Sequence, residues 1–209
     1  MLIGLVGCGG FGREVMPLVR NRLAVLQTHA DVVFIETVKT SGPMVNGYGV
    51  LSEAEFFNAP GAKQFNIAMS DSTMRQQIAE RFVRLGAEPI ELRSADTVIY
   101  DHNVIAEGAI FCSGSIITSD AKIGRYFHSN LQSYIAHDCL IGDFVTFAPR
   151  VACNGNVIIE DHAYIGTGAI IRQGLHIGRG ATVGMGAVVT KDVPAGQTWV
   201  GNPARVLSL

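Results

Sequence analysis

The chain has 209 residues, 48% hydrophobic and 16% charged, with a net charge of −2. That composition supports a buried core and excludes a disordered chain. Its basic residues form no run that would attract nucleic acid, and no apolar stretch reaches the roughly 18 residues that span a membrane, so it reads as a soluble cytoplasmic protein.

Residues 1–94 alternate strand-like and helix-like patches. Leu2–Val6 is a short apolar run. The opening "MLIGLVGC" superficially resembles a lipoprotein cleavage box, but it lacks a basic n-region and a long apolar run, so it reads as a first strand. "GCGGFG" and the helix-compatible "REVMPLVRNRLAVL" follow, then "DVVFIE" as a second strand. Gly7, Gly9 and Gly12 match G-x-G-x-x-G between strand and helix, and Glu36 closes the second strand. Bare backbone there, at Gly9, Gly10, Phe11 and Gly12, lets a diphosphate approach a helix N-terminus, while the acid accepts from a ribose or base. A nucleotide diphosphate, a tight structural turn and a nicotinamide dinucleotide all remain open on these residues. "KQFNIAMS" reads as a third strand, and "STMRQQIAERFVRL" as a helix with Ile78, Phe82 and Leu85 on one face. Ser70, Asp71 or Ser72 caps that helix, Arg75 reads as a solvated first-turn residue, and "EPIEL" is a short fourth strand. Strands alternating with helices imply a small, parallel, Rossmann-like α/β domain over residues 1–94.

Over residues 95–209 the period changes to six. Counting from Ile99, the first position of sixteen successive hexads is apolar in all but one, where Ser129 stands. The fifth position is mostly small or β-branched, and Gly often follows the aliphatic residue, as at Gly124, Gly142, Gly166, Gly178 and Gly184. Six fits neither an α-helix nor an alternating strand, but it is a β-helix period. Three hexads make one triangular coil: the aliphatic residue fills the inside, the small one a tighter inner position, and Gly eases the turn. The polar Ser129 predicts a loosened coil. The four cysteines, Cys8, Cys112, Cys139 and Cys153, lack metal-ligand spacing and read as buried thiols.

With its hexads, its ending "VVTKDVPAGQTWVGNPARVL" and its Gly-rich α/β start, the chain resembles the hexapeptide-repeat acyltransferases. Within them it is similar to the sialic acid O-acetyltransferase-like proteins and the bacillosamine and perosamine N-acetyltransferases. The resemblance implies a left-handed parallel β-helix, an exception to the usual crossover hand, and trimers with acetyl-CoA held between neighbouring coils. It assigns a nucleotide-activated amino sugar, UDP- or dTDP-linked, to the glycine loop, to Glu36 as a base contact, and to Ser70 and Arg75.

The implied reaction is N-acetylation of a 4-amino deoxy sugar for a surface glycan such as lipopolysaccharide. It needs a positioned amine, a base and a donor to the thioester oxygen. The histidines are His29, His102, His128, His137, His162 and His176. His137, in "HDCLIGD", stands third after Ile135 at an outward corner and matches the family's catalytic His. Asp138 is its orienting acid, or a solvated corner residue. Asn130 matches a residue at the acetyl site, and Gly155 one whose N–H binds the thioester oxygen and whose missing Cβ leaves room for the acyl group. Thr146 departs from a second His common in relatives. Thr167, Gly174, Met185 and Lys191 complete the acetyl-CoA set, and Arg205 is a further candidate for phosphate. A zinc site is the alternative for His128, His162 and His176, but the close His pair that such β-helices use is missing, so no metal is expected. O-acetylation of a sialic acid-like sugar and a non-catalytic trimeric partner of a sugar synthase are the competing functions.

Overall fold

The computed structural model describes residues 1–37 and 41–207. The chain divides into two compact units, Met1–Leu92 and Arg93–Leu209. Among the described residues no helix is long and apolar enough to cross a membrane.

In the first unit, β1 (Leu2–Val6) lies between β2 (Asp31–Glu36) and β5 (Lys63–Ile67), parallel to both. All five β1 residues are buried, which is why that strand is apolar throughout and does not alternate. A hairpin of β3 (Met44–Val45) and β4 (Tyr48–Ser52) joins beyond β2, and β6 (Glu88–Pro89) joins beyond β5, giving the order β3-β4-β2-β1-β5-β6. The parallel strands therefore run third, second, first, fourth, fifth. The helices are α1 (Gly10–Leu26), α2 (Glu53–Asn58) and α3 (Ser72–Arg84).

Three features depart from the sequence expectations. The hairpin and α2 were not anticipated, although Asn46 and Gly47, both at positive φ, make its turn, and Ser52 and Glu55 form a capping box. Leu85 lies beyond α3 and is exposed, so Ala79, not Leu85, completes the face of Ile78 and Phe82. Arg75 is wholly buried rather than solvated.

In the second unit, two-residue strands recur every six residues and pair in parallel with the strand 18 residues on: Ile117 with Ile135, Ile135 with Cys153, Cys153 with Ile171. Three sheets result, one per face of the coil. First-position residues such as Phe111, Ile135, Phe147 and Ile165 fill the interior with fifth-position Ala109, Val145 and Ala163. Burying each Ile or Val is worth about 1.5–3 kcal/mol relative to exposure, and each coil covers its neighbour's face.

Ser129 is not a loosened position. It is buried and its hydroxyl lies 3.0 Å from that of Ser115 across the core. The glycines also work differently from the expectation. Positive φ recurs at every sixth residue from His102 to Gly186, and it falls on Asp120, Asp138, Asn156 and Gly174 among others. The glycines after the aliphatic residue are not at positive φ; they let coils touch. A Cβ on Gly124 would stand 2.5 Å from the Gly142 carbonyl carbon, and one on Gly166 2.6 Å from the Met185 nitrogen.

The two ends of the stack differ: at the first coil the core residues Ile99 and Ile105 are only partly buried. Asp96 accepts from the Ser94 and Ser113 hydroxyls and from the Gly114 amide at the first coil. At the other end Thr198–Val200 pairs with Thr182–Val183 and meets Arg205–Val206 antiparallel, covering what would be an open edge.

Candidate active site

His137 and Asp138 form the turn between strands Tyr134–Ile135 and Leu140–Ile141. Asp138 is at φ 60°, a left-handed conformation that Asp tolerates better than most residues. Its amide donates to the Ser119 carbonyl one coil below at 3.1 Å. The His137 carbonyl accepts from the Asn156 amide one coil above at 2.9 Å. The backbone on both sides of the turn is therefore fixed, while the His137 side chain remains 60% exposed.

Asp138 Oδ2 lies 2.7 Å from His137 Nδ1. With Nδ1–H donating to the carboxylate, the lone pair sits on Nε2. The other face of the ring lies over Gly155: a Cβ there would come within 2.5 Å of His137 Cε1 and 2.6 Å of Nε2. The space left by the missing Cβ thus holds the imidazole itself. The amide at this corner position takes no part in the ladder. Asp143 caps that of Arg125 at 2.7 Å and Asp161 that of Asp143 at 2.8 Å; among the described residues none caps that of Gly155. Beneath the corner, Cys139 Sγ donates to the Asn154 carbonyl at 3.1 Å and lies 4.0 Å from Cys153 Sγ. All four cysteines are free and buried.

The 18-residue coil divides the other candidates between two corners. Gly155 and Gly174 stack above His137, joined by the Gly174 amide to the Gly155 carbonyl at 2.9 Å, and Lys191 follows on the same corner after Val188–Val189. Asn130, Thr167 and Met185 follow strands of a different sheet and line another corner, where Met185 is 81% exposed. Thr146, expected beside the acetyl group, is buried on the strand leading to that second corner, paired with His128 and Tyr164. One chain therefore does not bring Asn130 or Thr146 to His137. The remaining histidines scatter: His128 is buried, His162 stacks on Phe144 at 5.4 Å, and His176 Nε2 lies 3.0 Å from Glu160. Among the described residues no group of three His, Cys, Asp or Glu could hold a metal ion.

In the first unit a cleft of about 420 Å³ opens at the C-terminal ends of β1 and β2, lined by Gly7, Cys8, Gly9, Arg13, Glu36 and Met69 among others. Nothing stands within 4 Å of a Cβ built on Gly9 or Gly10, whereas one on Gly12 would collide with the Gly7 carbonyl. Gly9 and Gly10 thus leave space for a ligand, and Gly12 lets α1 pack on β1. Phe11 is half-buried in the first turn of α1. Glu36 Oε1 accepts from Cys8 Sγ at 2.7 Å and from Ser41 Oγ at 2.8 Å, and Oε2 from the Ser41 amide at 2.9 Å.

Ser70 is exposed and Asp71 caps α3, its carboxylate accepting from the Met74 amide. Arg75 is not on the cleft wall. Its Nη1 donates to the Met69 carbonyl at 2.6 Å, so it holds the loop that forms the wall. Burial lowers its pKa to about 9 against the opposing field of Asp71. Cys8, Arg13 and Ser41 had no sequence signal of their own, because Ser41 reaches Glu36 from the connection after β2.

Residues 156–191 match the family described as hexapeptide repeat of succinyl-transferase. The GDP-perosamine N-acetyltransferase of Escherichia coli O157:H7 is 48% identical over 212 residues, covering 98% of this chain and 95% of that protein. WeeI from Acinetobacter baumannii AYE superposes with a TM-score of 0.94 at 49% identity, over 99% of this chain and 100% of the other. The acetyltransferase domain of PglB from Neisseria gonorrhoeae FA1090, in complex with acetyl coenzyme A, superposes at 0.88 with 29% identity, over 99% and 98%. With its stacked hexads and its near end-to-end likeness to a sugar N-acetyltransferase, the chain is an acyltransferase and belongs to the hexapeptide-repeat sugar N-acetyltransferases.

Proposed function

We propose that the chain transfers the acetyl group of acetyl-CoA to the amino group of a GDP-linked 4-amino deoxy sugar of the perosamine type. The observation that carries this is the 48% identity, over nearly the whole of both chains, to a GDP-perosamine N-acetyltransferase. It moves the nucleotide from the UDP or dTDP of the sequence reading to GDP. The parallel strand order of the first unit and its glycine turn support a Rossmann-like reading in which this unit takes the nucleotide. Gly9, Gly10 and Arg13 face the diphosphate and Glu36 the nucleoside. The coils of the second unit wind left-handed, as the family resemblance implies.

At the corner, His137 Nε2 takes a proton from the sugar amine as its nitrogen attacks the thioester carbon. The adduct's oxygen becomes negative and accepts from the Gly155 N–H. Collapse breaks the C–S bond, and the imidazolium returns the proton to the leaving thiolate of CoA. Asp138 holds the ring and stabilises its cationic form. Two corners of different sheets carry the donor candidates, so the acetyl-CoA site lies between protomers of a threefold ring: His137, Gly155, Gly174 and Lys191 from one, and Asn130, Thr167 and Met185 from the next. The enzyme works in the cytoplasm, on a sugar destined for a surface glycan.

Thiol release from acetyl-CoA, measured with GDP-, UDP- and dTDP-linked 4-amino sugars, tests the proposal. The expected result is the highest kcat/KM with the GDP-linked sugar. Release only with a hydroxyl acceptor such as a sialic acid, or with none, would overturn it.

A further inference from the structure

The cleft wall contains one group that the transfer chemistry leaves unused, the thiol of Cys8. This residue is the variable position of G-x-G, 8% exposed, on the turn from β1 into α1. Its Sγ is 2.7 Å from Glu36 Oε1 and 3.0 Å from Ser41 Oγ. Its carbonyl accepts from Arg13 Nη1 at 3.2 Å. The residue therefore ties together the two charged groups of the cleft, the Glu36 carboxylate through its side chain and the Arg13 guanidinium through its backbone.

A glutamate at a strand end has three side-chain torsions and is a poor recognition group unless something fixes it. Ser41 holds it from one side only, through its amide and hydroxyl. Cys8 holds it from the glycine turn. We infer that Cys8 is a positioning residue for nucleotide recognition: its S–H donates to Glu36 and fixes the carboxylate in the orientation that accepts hydrogen bonds from the nucleoside of the GDP-linked substrate. Burial and the neighbouring Glu36 carboxylate raise the thiol's pKa above its ordinary value, so the group is an S–H donor at neutral pH and not a thiolate that would repel Glu36. The inference rests on the reading of this cleft as the nucleotide site.

The test titrates GDP into the full-length protein and its variants, and measures the KM for the nucleotide sugar alongside that for acetyl-CoA. Cys8→Ala removes the donor and is expected to weaken GDP binding and raise the nucleotide-sugar KM about tenfold, the size expected for a lost hydrogen bond to a charged group, with the acetyl-CoA KM as the internal reference. Cys8→Ser keeps a donor and is expected to stay within about threefold of the parent. Equal losses in the two variants would mean that thiol volume, not donation, matters, and would overturn the inference, as would unchanged GDP affinity in Cys8→Ala. Glu36→Ala separates the two levels. If it weakens GDP binding while Cys8→Ala does not, the positioning role alone falls; if it has no effect, the cleft is not the nucleotide site and both fall.

Discussion

A Cβ on Gly155 would press into the imidazole of His137 from one coil above, so the two residues act as one unit. Gly155→Ala is expected to swing the ring off Asp138 and lower kcat about 10- to 100-fold, with the unfolding midpoint nearly unchanged because the ring is exposed and has somewhere to go. His137→Ala is expected to lower kcat by about 10²–10⁴. The double variant should be no worse than His137→Ala alone, since displacing a ring that is already missing costs nothing further. Steady-state kinetics on the four proteins checks this; additive losses would mean that Gly155 acts without His137. The stacking of the two was legible in the sequence, because 155 lies one 18-residue coil after 137, whereas their roles came from the family resemblance. Arg75 was not legible. Its place in the first turn of α3 says nothing of the Met69 loop that folds over it.

At the scale of the element, the hexad fixed the strands, the three sheets and the core, since each first-position residue had to face inward. What it could not show was how exceptions are accommodated. Ser129 interrupts the aliphatic column, yet Ser115 meets it across the core, and 14 residues separate them in sequence. Ser129→Ala is expected to cost about 1 kcal/mol, because the Ser115 hydroxyl loses its 3.0 Å partner and keeps only a long contact, 3.5 Å, to the residue 129 carbonyl. Replacing both serines by Ala should cost less than the single change, as read from urea midpoints. Asp96 gives a pH dependence at the first coil. Hydrogen bonds from Ser113, then Ser94, hold its carboxyl below the usual carboxylate range. A depressed folded value favours the ionised folded state, so its contribution is complete above about pH 4 and is lost as pH falls through the lowered value. Asp96→Asn should therefore be less stable than the parent at pH 7, and the gap should close as the pH falls through the lowered folded value. A gap that persists in acid would assign the effect to packing.

For the whole molecule, the decisive geometry is that His137 and Asn130 stand on different corners of the same coil. Outward residues of the strands beside those corners are apolar and exposed, as at Ile116, Leu140, Ile158 and Ile170, the surface pattern of an element that meets another. If the donor site draws one corner from each of two protomers, a site is broken by a change on either side, and two broken chains can repair each other. His137→Ala and Asn130→Ala homotrimers should both be weak. Co-expressed at equal levels and assembled at random, they should restore roughly a quarter of the sites, since each site needs an intact His137 from one chain and an intact Asn130 from its neighbour. The same mixture made from His137→Ala and Gly155→Ala should recover nothing, because those residues share a corner and every site takes both from one chain. Activity of the purified mixed trimers, set against the two parents, decides it. No recovery in the first mixture would mean that His137 and Asn130 do not meet in one acetyl site across protomers.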